Sequence, residues 1–95
     1  MAGYLALVHK DEGTSYGVSF PDVPGCISAG DTLEEALDNA SAALGGHLAL
    51  MVADGEPLPR PRSFEAIRRD PTLADDLSDA IVSYVRLDVP RSSAA

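Results

Sequence analysis

The chain has 95 residues, of which 45% are hydrophobic, 23% charged and 5% aromatic, a composition that fits one small globular domain and not a disordered, collagen-like or coiled-coil chain. No apolar run approaches the roughly 20 residues of a membrane-spanning helix, the first residues lack a basic, cleavable secretory signal, and the lone Cys26 excludes an internal disulfide. These three observations lead us to expect a cytoplasmic protein. A net charge of −8 repels phosphate backbones, so we expect that the chain binds no nucleic acid by itself.

The charge is unevenly distributed along the chain. Residues 1–58 hold nine acidic residues and one basic residue, which gives −8, whereas residues 59–95 hold six of each and are neutral. A field of this kind attracts a basic partner and speeds the encounter with it. A net negative charge also keeps many proteins soluble. Charge alone favours solubility over a basic partner as the explanation.

The first 30 residues predict three strands. Residues 4–9 form an apolar run of strand length, residues 10–14 have the composition of a hairpin loop, and Tyr16, Val18 and Phe20 alternate with small residues. We therefore expect an antiparallel hairpin over residues 3–21. Residues 26–29 predict a short third strand that Gly30 ends.

A proline-rich corner lies between the second and third predicted strands. Pro21 and Pro24 fix φ and remove two amide donors, and Gly25 permits a positive φ. The segment is expected to form a stiff, exposed corner. Together with Gly30 these residues are interpreted as backbone devices, and the alternative is a rigid contact loop that loses little entropy when a partner binds.

A long helix is predicted to begin at Asp31 or Thr32. Either Asp31 with Glu34 or Thr32 with Glu35 has the spacing of a capping box, and first-turn acids suit the helix dipole. Apolar residues then recur at helical spacing along one face: Leu33, Ala36, Leu37, Ala40, Leu44, His47, Leu48 and Met51. Gly55 is a candidate for the residue that ends the helix. The pair Gly45–Gly46 inside the helix indicates a kink or the close approach of another backbone.

The rest of the chain predicts short elements and one further strand. A proline-rich linker over 56–62 is followed by a helix over 64–69 capped by Ser63, and then by another helical turn or loop over 71–77. Residues 80–89 predict the last strand, and its inward set is Ile81, Ser83, Val85, Leu87 and Val89. The fold class is therefore α+β, in the order β-β-β-α-β, with a single domain over 1–90 and a flexible tail over 91–95. The exposed edges of such a small sheet favour self-association, so we expect a homodimer or higher oligomer.

Five acidic residues near the corner and the helix start are the candidate partner-binding residues: Asp22, Asp31, Glu34, Glu35 and Asp38. Helix capping and the helix dipole give Asp31, Glu34 and Glu35 a structural role at the start of the helix. An alternative is a magnesium-dependent nuclease that uses Asp22, Asp31 and Glu35, but the predicted strand interiors carry almost no carboxylates. We therefore expect no catalytic residue, no metal site and no cofactor.

The remaining chemically reactive residues have simpler interpretations. His9 and His47 have no spacing that brings them together as a metal pair. Cys26 is interpreted as a small core residue, because no basic group adjoins it to activate the thiol. Phe64 and Tyr84 fit an interface or a core equally well.

The segment over residues 16–36, YGVSFPDVPGCISAGDTLEEA, resembles the signature of the HicB antitoxin family. The family pattern is a strand ending in FPDLPGC, followed by GDTLEEAL at the helix start, and the later EPLPRP resembles the proline segment of the family. The resemblance extends over roughly residues 3–89. It implies a partial RNase H-like sheet and the role of antitoxin in a type II toxin–antitoxin pair, in which a small basic HicA-like ribonuclease is bound and its active site is covered.

Longer members of the family carry a C-terminal DNA-binding module, and this sequence departs from them after Val89. No basic strand–helix–helix pattern follows, so the chain is expected to be a short member that does not bind DNA directly. The alternative is a chain that has been cut before its DNA-binding part. The rival hypothesis is an orphan HicB-like domain that serves as a scaffold or regulatory module without a toxin.

Overall fold

The computed structural model describes residues 3–10, 13 and 15–86. The four strands are β1 (Gly3–Lys10), β2 (Tyr16–Ser19), β3 (Ile27–Gly30) and β4 (Ile81–Arg86), and the helices are α1 (Leu33–Ala53), α2 (Phe64–Arg68) and α3 (Ala74–Ser78), with a 3-10 turn over Pro71–Leu73. The predicted α+β class and the order of three strands, a long helix and a final strand are confirmed. The predicted strand residues Leu87 and Val89 and the predicted tail over 91–95 lie outside the described residues.

The strands form one antiparallel sheet in the order β3-β2-β1-β4. The predicted hairpin is confirmed, with Val8 opposite Val18 and Lys10 opposite Tyr16. Strand β1 is central because β4 returns to its other side, where Leu5 lies opposite Tyr84. A central strand covered on both faces needs apolar residues at consecutive positions, which explains why residues 3–8 are all buried.

Helix α1 covers one face of the sheet. The main core joins Tyr4, Ala6 and Val8 of β1 to the apolar stripe of the helix. The buried residues of that stripe are Ala36, Ala40, Leu44 and Leu48. The predicted helix stripe is therefore confirmed. The inward set predicted for β4 is right for Val85, which is 6% exposed, and wrong for Ile81, which is 50% exposed. Ile81 opens a strand at the edge of the sheet, where α1 gives little cover.

The segment after α1 covers part of the opposite face. Leu5 and Leu7 alternate with the core residues of β1 and so point away from α1, yet they are buried, as is Ile67 of α2. His9 lies on the same face, and its Nε2 lies 2.8 Å from the carbonyl oxygen of Asp76 in α3. The short helices therefore pack across the back of the sheet. Among the described residues, none of the helices is long and apolar enough to cross a membrane.

The ends of α1 follow the predicted chemistry. Thr32 is the N-cap, and its hydroxyl accepts a hydrogen bond from the amide of Glu35 at 3.0 Å. At the other end, Gly55 has a φ of +76°, and its amide donates to the carbonyl of Val52. The expected close approach of another backbone at Gly45–Gly46 is not seen, and the alternative of a kink stays a prediction. A Cβ built on either glycine meets nothing within 4 Å, and α1 runs continuously through both.

The proline-rich corner consists of two consecutive turns. The amide of Val23 donates to the carbonyl of Phe20, and the amide of Cys26 donates to the carbonyl of Val23, both at 3.1 Å. The second turn has proline at its second position and Gly25 at its third, with a φ of +89°, which is the type II geometry. The prediction of an exposed corner is wrong for Val23, which is 1% exposed, because the double turn points this side chain into the core.

Candidate functional site

An ion-pair network fastens the corner to the proline-rich linker. The carboxylate of Asp22 accepts a hydrogen bond from the backbone amide of Arg62 at 2.7 Å and another from its Nε at 2.6 Å. The Nη1 of Arg62 donates to Asp70 at 3.0 Å, and hydrogen bonds to Asp70 and Asp22 raise the pKa of Arg62. The Asp22 side chain is only 6% exposed. Its carboxylate oxygens therefore contact Arg62 and are largely hidden from solvent.

A second contact holds the linker against the sheet. The hydroxyl of Tyr4 donates to the carbonyl of Pro59 at 2.6 Å, and burial, with a smaller effect of the Asp22 charge, raises the pKa of Tyr4. The linker is therefore tied to the central strand as well as to the corner. It passes from the end of α1 to the back of the sheet along a defined path.

The other four candidate partner-binding residues lie together on the surface, where α1 begins. Asp31, Glu34, Glu35 and Asp38 are all exposed, and we call this group the α1 acidic patch. Within the described part of the chain, no basic side chain forms a salt bridge with any of them. The patch thus concentrates negative charge that residues 3–10, 13 and 15–86 do not neutralise by a salt bridge.

The residues of the patch differ in the local contacts that they make. Glu35 forms a variant of the capping box. Its amide donates to the hydroxyl of the N-cap Thr32, and its Oε1 accepts a hydrogen bond at 2.7 Å from the amide of Asp31, the residue before the N-cap. Of the two predicted capping boxes, the Thr32–Glu35 pairing is the one formed. Glu34 and Asp38 lie four residues apart on the same side of the helix, and their carboxylates accept no hydrogen bond from the described residues.

Gly30 positions the patch next to β3. A Cβ on Gly30 would collide with the backbone amide of Ala36 and lie 2.8 Å from its Cα. Only glycine allows the first turn of α1 to pack this closely on the end of β3. The Nδ2 of Asn39 adds a hydrogen bond to the carbonyl of Ala29 at 2.9 Å, so the start of the helix is held rigidly against this strand.

The carboxylates proposed for magnesium are not assembled into a site. Asp22 is paired with Arg62, whereas Glu35 caps α1. Among residues 3–10, 13 and 15–86, no group of three or more His, Cys, Asp or Glu side chains is arranged to hold a metal ion. The two histidines are also separated, since His9 faces α3 and His47 on α1 lies by Gly25.

Cys26 lies in the main core at 3% exposure. Burial raises the pKa of its thiol, which disfavours the reactive thiolate. Its interpretation as a small core residue agrees with this environment.

One surface feature was not predicted from the sequence. A shallow groove of about 300 Å³ lies on the back of the sheet beside the short helices. Its lining residues are His9, Gly17, Val18, Ser19, Ile27 and Ser28. Ile27 is 72% exposed there, although its side chain is apolar. It lies on the face of the sheet opposite α1, and the sequence carries no signal for how far the short helices extend over this face.

Comparison with known proteins gives consistent matches. Residues 4–94 match the sequence profile of the family described as HicB_like antitoxin of bacterial toxin-antitoxin system. An uncharacterized 14.9 kDa protein of Haemophilus phage HP1 is 45% identical over 74 residues, which span 78% of this chain and 53% of that protein. The chain thus covers about half the length of this relative.

Two solved structures share the fold. The crystal structure of the Burkholderia pseudomallei antitoxin HicB superimposes with a TM-score of 0.78 at 31% identity, covering 94% of this chain and 65% of that one. A chain of the HicA3 and HicB3 toxin-antitoxin complex superimposes with a TM-score of 0.73 at 28% identity, covering 93% of this chain and 100% of that one. With the double-turn corner and the capped α1 start in place, these matches show that the chain belongs to the HicB_like antitoxin family of bacterial toxin–antitoxin systems.

Proposed function

We propose that this chain is an antitoxin that binds a small, basic HicA-type ribonuclease and covers its active site. One observation carries the proposal. This chain superimposes on a chain of the HicA3–HicB3 complex and covers 100% of that chain. In our proposal residues 1–90 act as one domain by binding alone, without catalysis, cofactor, metal or nucleic acid.

We further propose that the α1 acidic patch is the part of the surface that meets the toxin. The patch is exposed and forms no salt bridge with the part of the chain that the structure describes. It lies on a helix start that Gly30 and Asn39 hold rigidly. Rigid contact elements lose little entropy on binding. Asp22, the fifth candidate, supports this surface indirectly because it keeps the corner in place through Arg62.

Charge reversal within the patch tests this assignment. Glu34→Lys combined with Asp38→Lys changes the charge by four units and leaves the Thr32–Glu35 capping box intact. The matched control is Asp54→Lys with Glu56→Lys, an equal charge change at exposed positions near the other end of α1, about 30 Å away for a helix of 21 residues.

The assay measures binding of the product of the neighbouring reading frame, co-expressed with the tagged chain, together with rescue of growth. We expect the patch variant to slow association by roughly tenfold or more at low salt. The difference should disappear near 1 M salt, where the Debye length falls to about 3 Å. Equal slowing in both double variants would show that only net charge matters and would remove the patch from the interface.

The same preparation tests the antitoxin role itself. A stable complex that abolishes the toxicity of the neighbouring product supports the proposal. Absence of both complex and toxicity would favour the orphan scaffold or regulatory module. Magnesium-dependent cleavage of RNA by the purified chain would contradict the proposal of a non-enzymatic protein.

A further inference from the structure

The described residues cover the face of the sheet opposite α1 only in part. In β2, Gly17 and Ser19 alternate with the core residue Val18, so they point to this back face. Ala29 and Ile27 of β3 lie directly opposite them and share the face. Ile27 is 72% exposed, and Ala29 is also exposed. The short helices therefore leave the β2–β3 half of the back face open, and the groove of about 300 Å³ lies there.

No contact among the described residues requires glycine at position 17. The other strand glycines, Gly3 and Gly30, each lie so close to another residue that a Cβ would collide with it. A Cβ on Gly17 would meet only the carbonyl oxygen of His9, at 4.0 Å, and the φ of Gly17 is not positive. A glycine inside a strand weakens the strand and often marks the close approach of a ligand or another backbone. Gly17 is therefore best explained by a partner that packs against the floor of the groove.

Helix α3 gives the groove an acidic border. His9 lines the groove, and its Nε2 lies 2.8 Å from the carbonyl oxygen of Asp76, so α3 lies directly beside it. Asp75 and Asp76 are exposed and form no salt bridge with residues 3–10, 13 and 15–86. An apolar floor beside such acids suits an apolar side chain flanked by basic residues. It disfavours a second copy of this chain, whose net charge is −8.

We propose that this groove is a second contact surface for the basic toxin, which packs an apolar side chain against Ile27 and Gly17 and directs basic residues toward α3. This contact, which rests on the proposed function, adds a surface on the other face of the sheet. Strand β3 is an outermost strand, with the α1 acidic patch beside Gly30 on one face and the groove on the other. A single partner can therefore hold this edge of the sheet from both faces.

The two surfaces control different steps of binding. Exposed charges act mainly on the association rate, whereas well-packed contacts act mainly on the dissociation rate. The α1 acidic patch therefore steers the toxin toward β3, and the groove keeps it there. Salt screens the charges of the patch but not the apolar contact in the groove, so the two contributions can be measured separately.

Truncation of Ile27 tests the groove. We expect Ile27→Ala to accelerate dissociation from the product of the neighbouring reading frame by roughly tenfold. The association rate should stay unchanged, and the effect should persist near 1 M salt, where the Debye length is about 3 Å. The matched control is Leu50→Ala, which truncates an aliphatic side chain that is 67% exposed on α1. This control should dissociate at the wild-type rate.

Gly17→Val separates binding from folding. Valine is favoured in strands, and position 17 has room for a Cβ, so the Tm of the free chain should stay the same or rise. The branched side chain fills the floor of the groove, so dissociation of the complex should accelerate by roughly tenfold or more. A lower Tm with unchanged rate constants would show that Gly17 serves the fold alone and would contradict the proposal.

The remaining outcomes distinguish the groove from the antitoxin role. A wild-type complex from which Ile27→Ala and Gly17→Val dissociate at the wild-type rate overturns the groove contact and leaves the antitoxin role intact. Equal acceleration by Leu50→Ala also overturns it, because any exposed apolar residue would then serve. Absence of a wild-type complex removes the antitoxin role and the groove contact together. A dimer of the free chain on size exclusion that Ile27→Ala dissociates would assign the groove to a second copy instead.

Discussion

Replacement of Arg62 by alanine should destabilise the fold far more than the loss of a surface charge. The Asp22 carboxylate is 6% exposed, whereas the Arg62 side chain is 37% exposed. Arg62→Ala leaves that carboxylate with one donor from this pair, the backbone amide of residue 62. Removing one partner of a buried ion pair costs about 3–5 kcal/mol, and the partial exposure of Arg62 places this case near the lower end, at about 3 kcal/mol.

The reverse substitution should cost less. Asp22→Asn keeps an oxygen that accepts the amide of residue 62, and Arg62 retains Asp70 and contact with water. We expect a loss of about 1.5 kcal/mol, the value of one charge-assisted hydrogen bond. In the double variant no uncompensated buried charge remains, so its loss should be smaller than the sum of the two single losses.

Urea denaturation followed by circular dichroism measures all three differences in the free energy of unfolding. For a domain of this size, the Arg62→Ala loss corresponds to a fall of about 12–24 °C in Tm. A surface salt bridge contributes about 0–1 kcal/mol. A loss below 1 kcal/mol for Arg62→Ala, or strictly additive losses in the double variant, would refute the reasoning that the linker is held through a desolvated carboxylate.

Hydrogen bonds from Thr72 and Arg62 lower the pKa of Asp70 from 3.8 to about 2. The ionised Asp70 carboxylate therefore stabilises the fold above about pH 4, and this stabilisation is lost as the pH falls toward 2. Asp70→Asn should flatten this step when the free energy of unfolding is measured against pH. Gly30→Ala should cost about 1–3 kcal/mol in urea denaturation, because its Cβ meets helix backbone. Gly46→Ala should instead stabilise by up to about 1 kcal/mol, since it sits in a helix with open space around it, and a loss there would reveal a hidden contact. Thr32→Ala should cost about 1 kcal/mol through its lost cap, and an unchanged Tm would contradict that role.

Local chemistry made most of the fold predictable. Three features act only on residues a few positions away, so each leaves a recognisable pattern in the sequence. They are the turn at Pro24 and Gly25, the helix cap at Thr32 and the apolar stripe of α1. The errors at Ile81 and Val23 have a different origin. Whether an apolar side chain at an edge or a corner is covered depends on how far another element reaches, and no local pattern encodes that distance.

The candidate site was predictable only in part, for the same reason. The acids at the start of α1 are adjacent in sequence, and the helix brings Glu34 and Asp38 to one side. The partner of Asp22 is 40 residues away. Residues 60–69 contain four arginines, and their spacing does not indicate which one turns inward. Sequence therefore grouped five acids that the fold divides into one structural carboxylate and four surface charges.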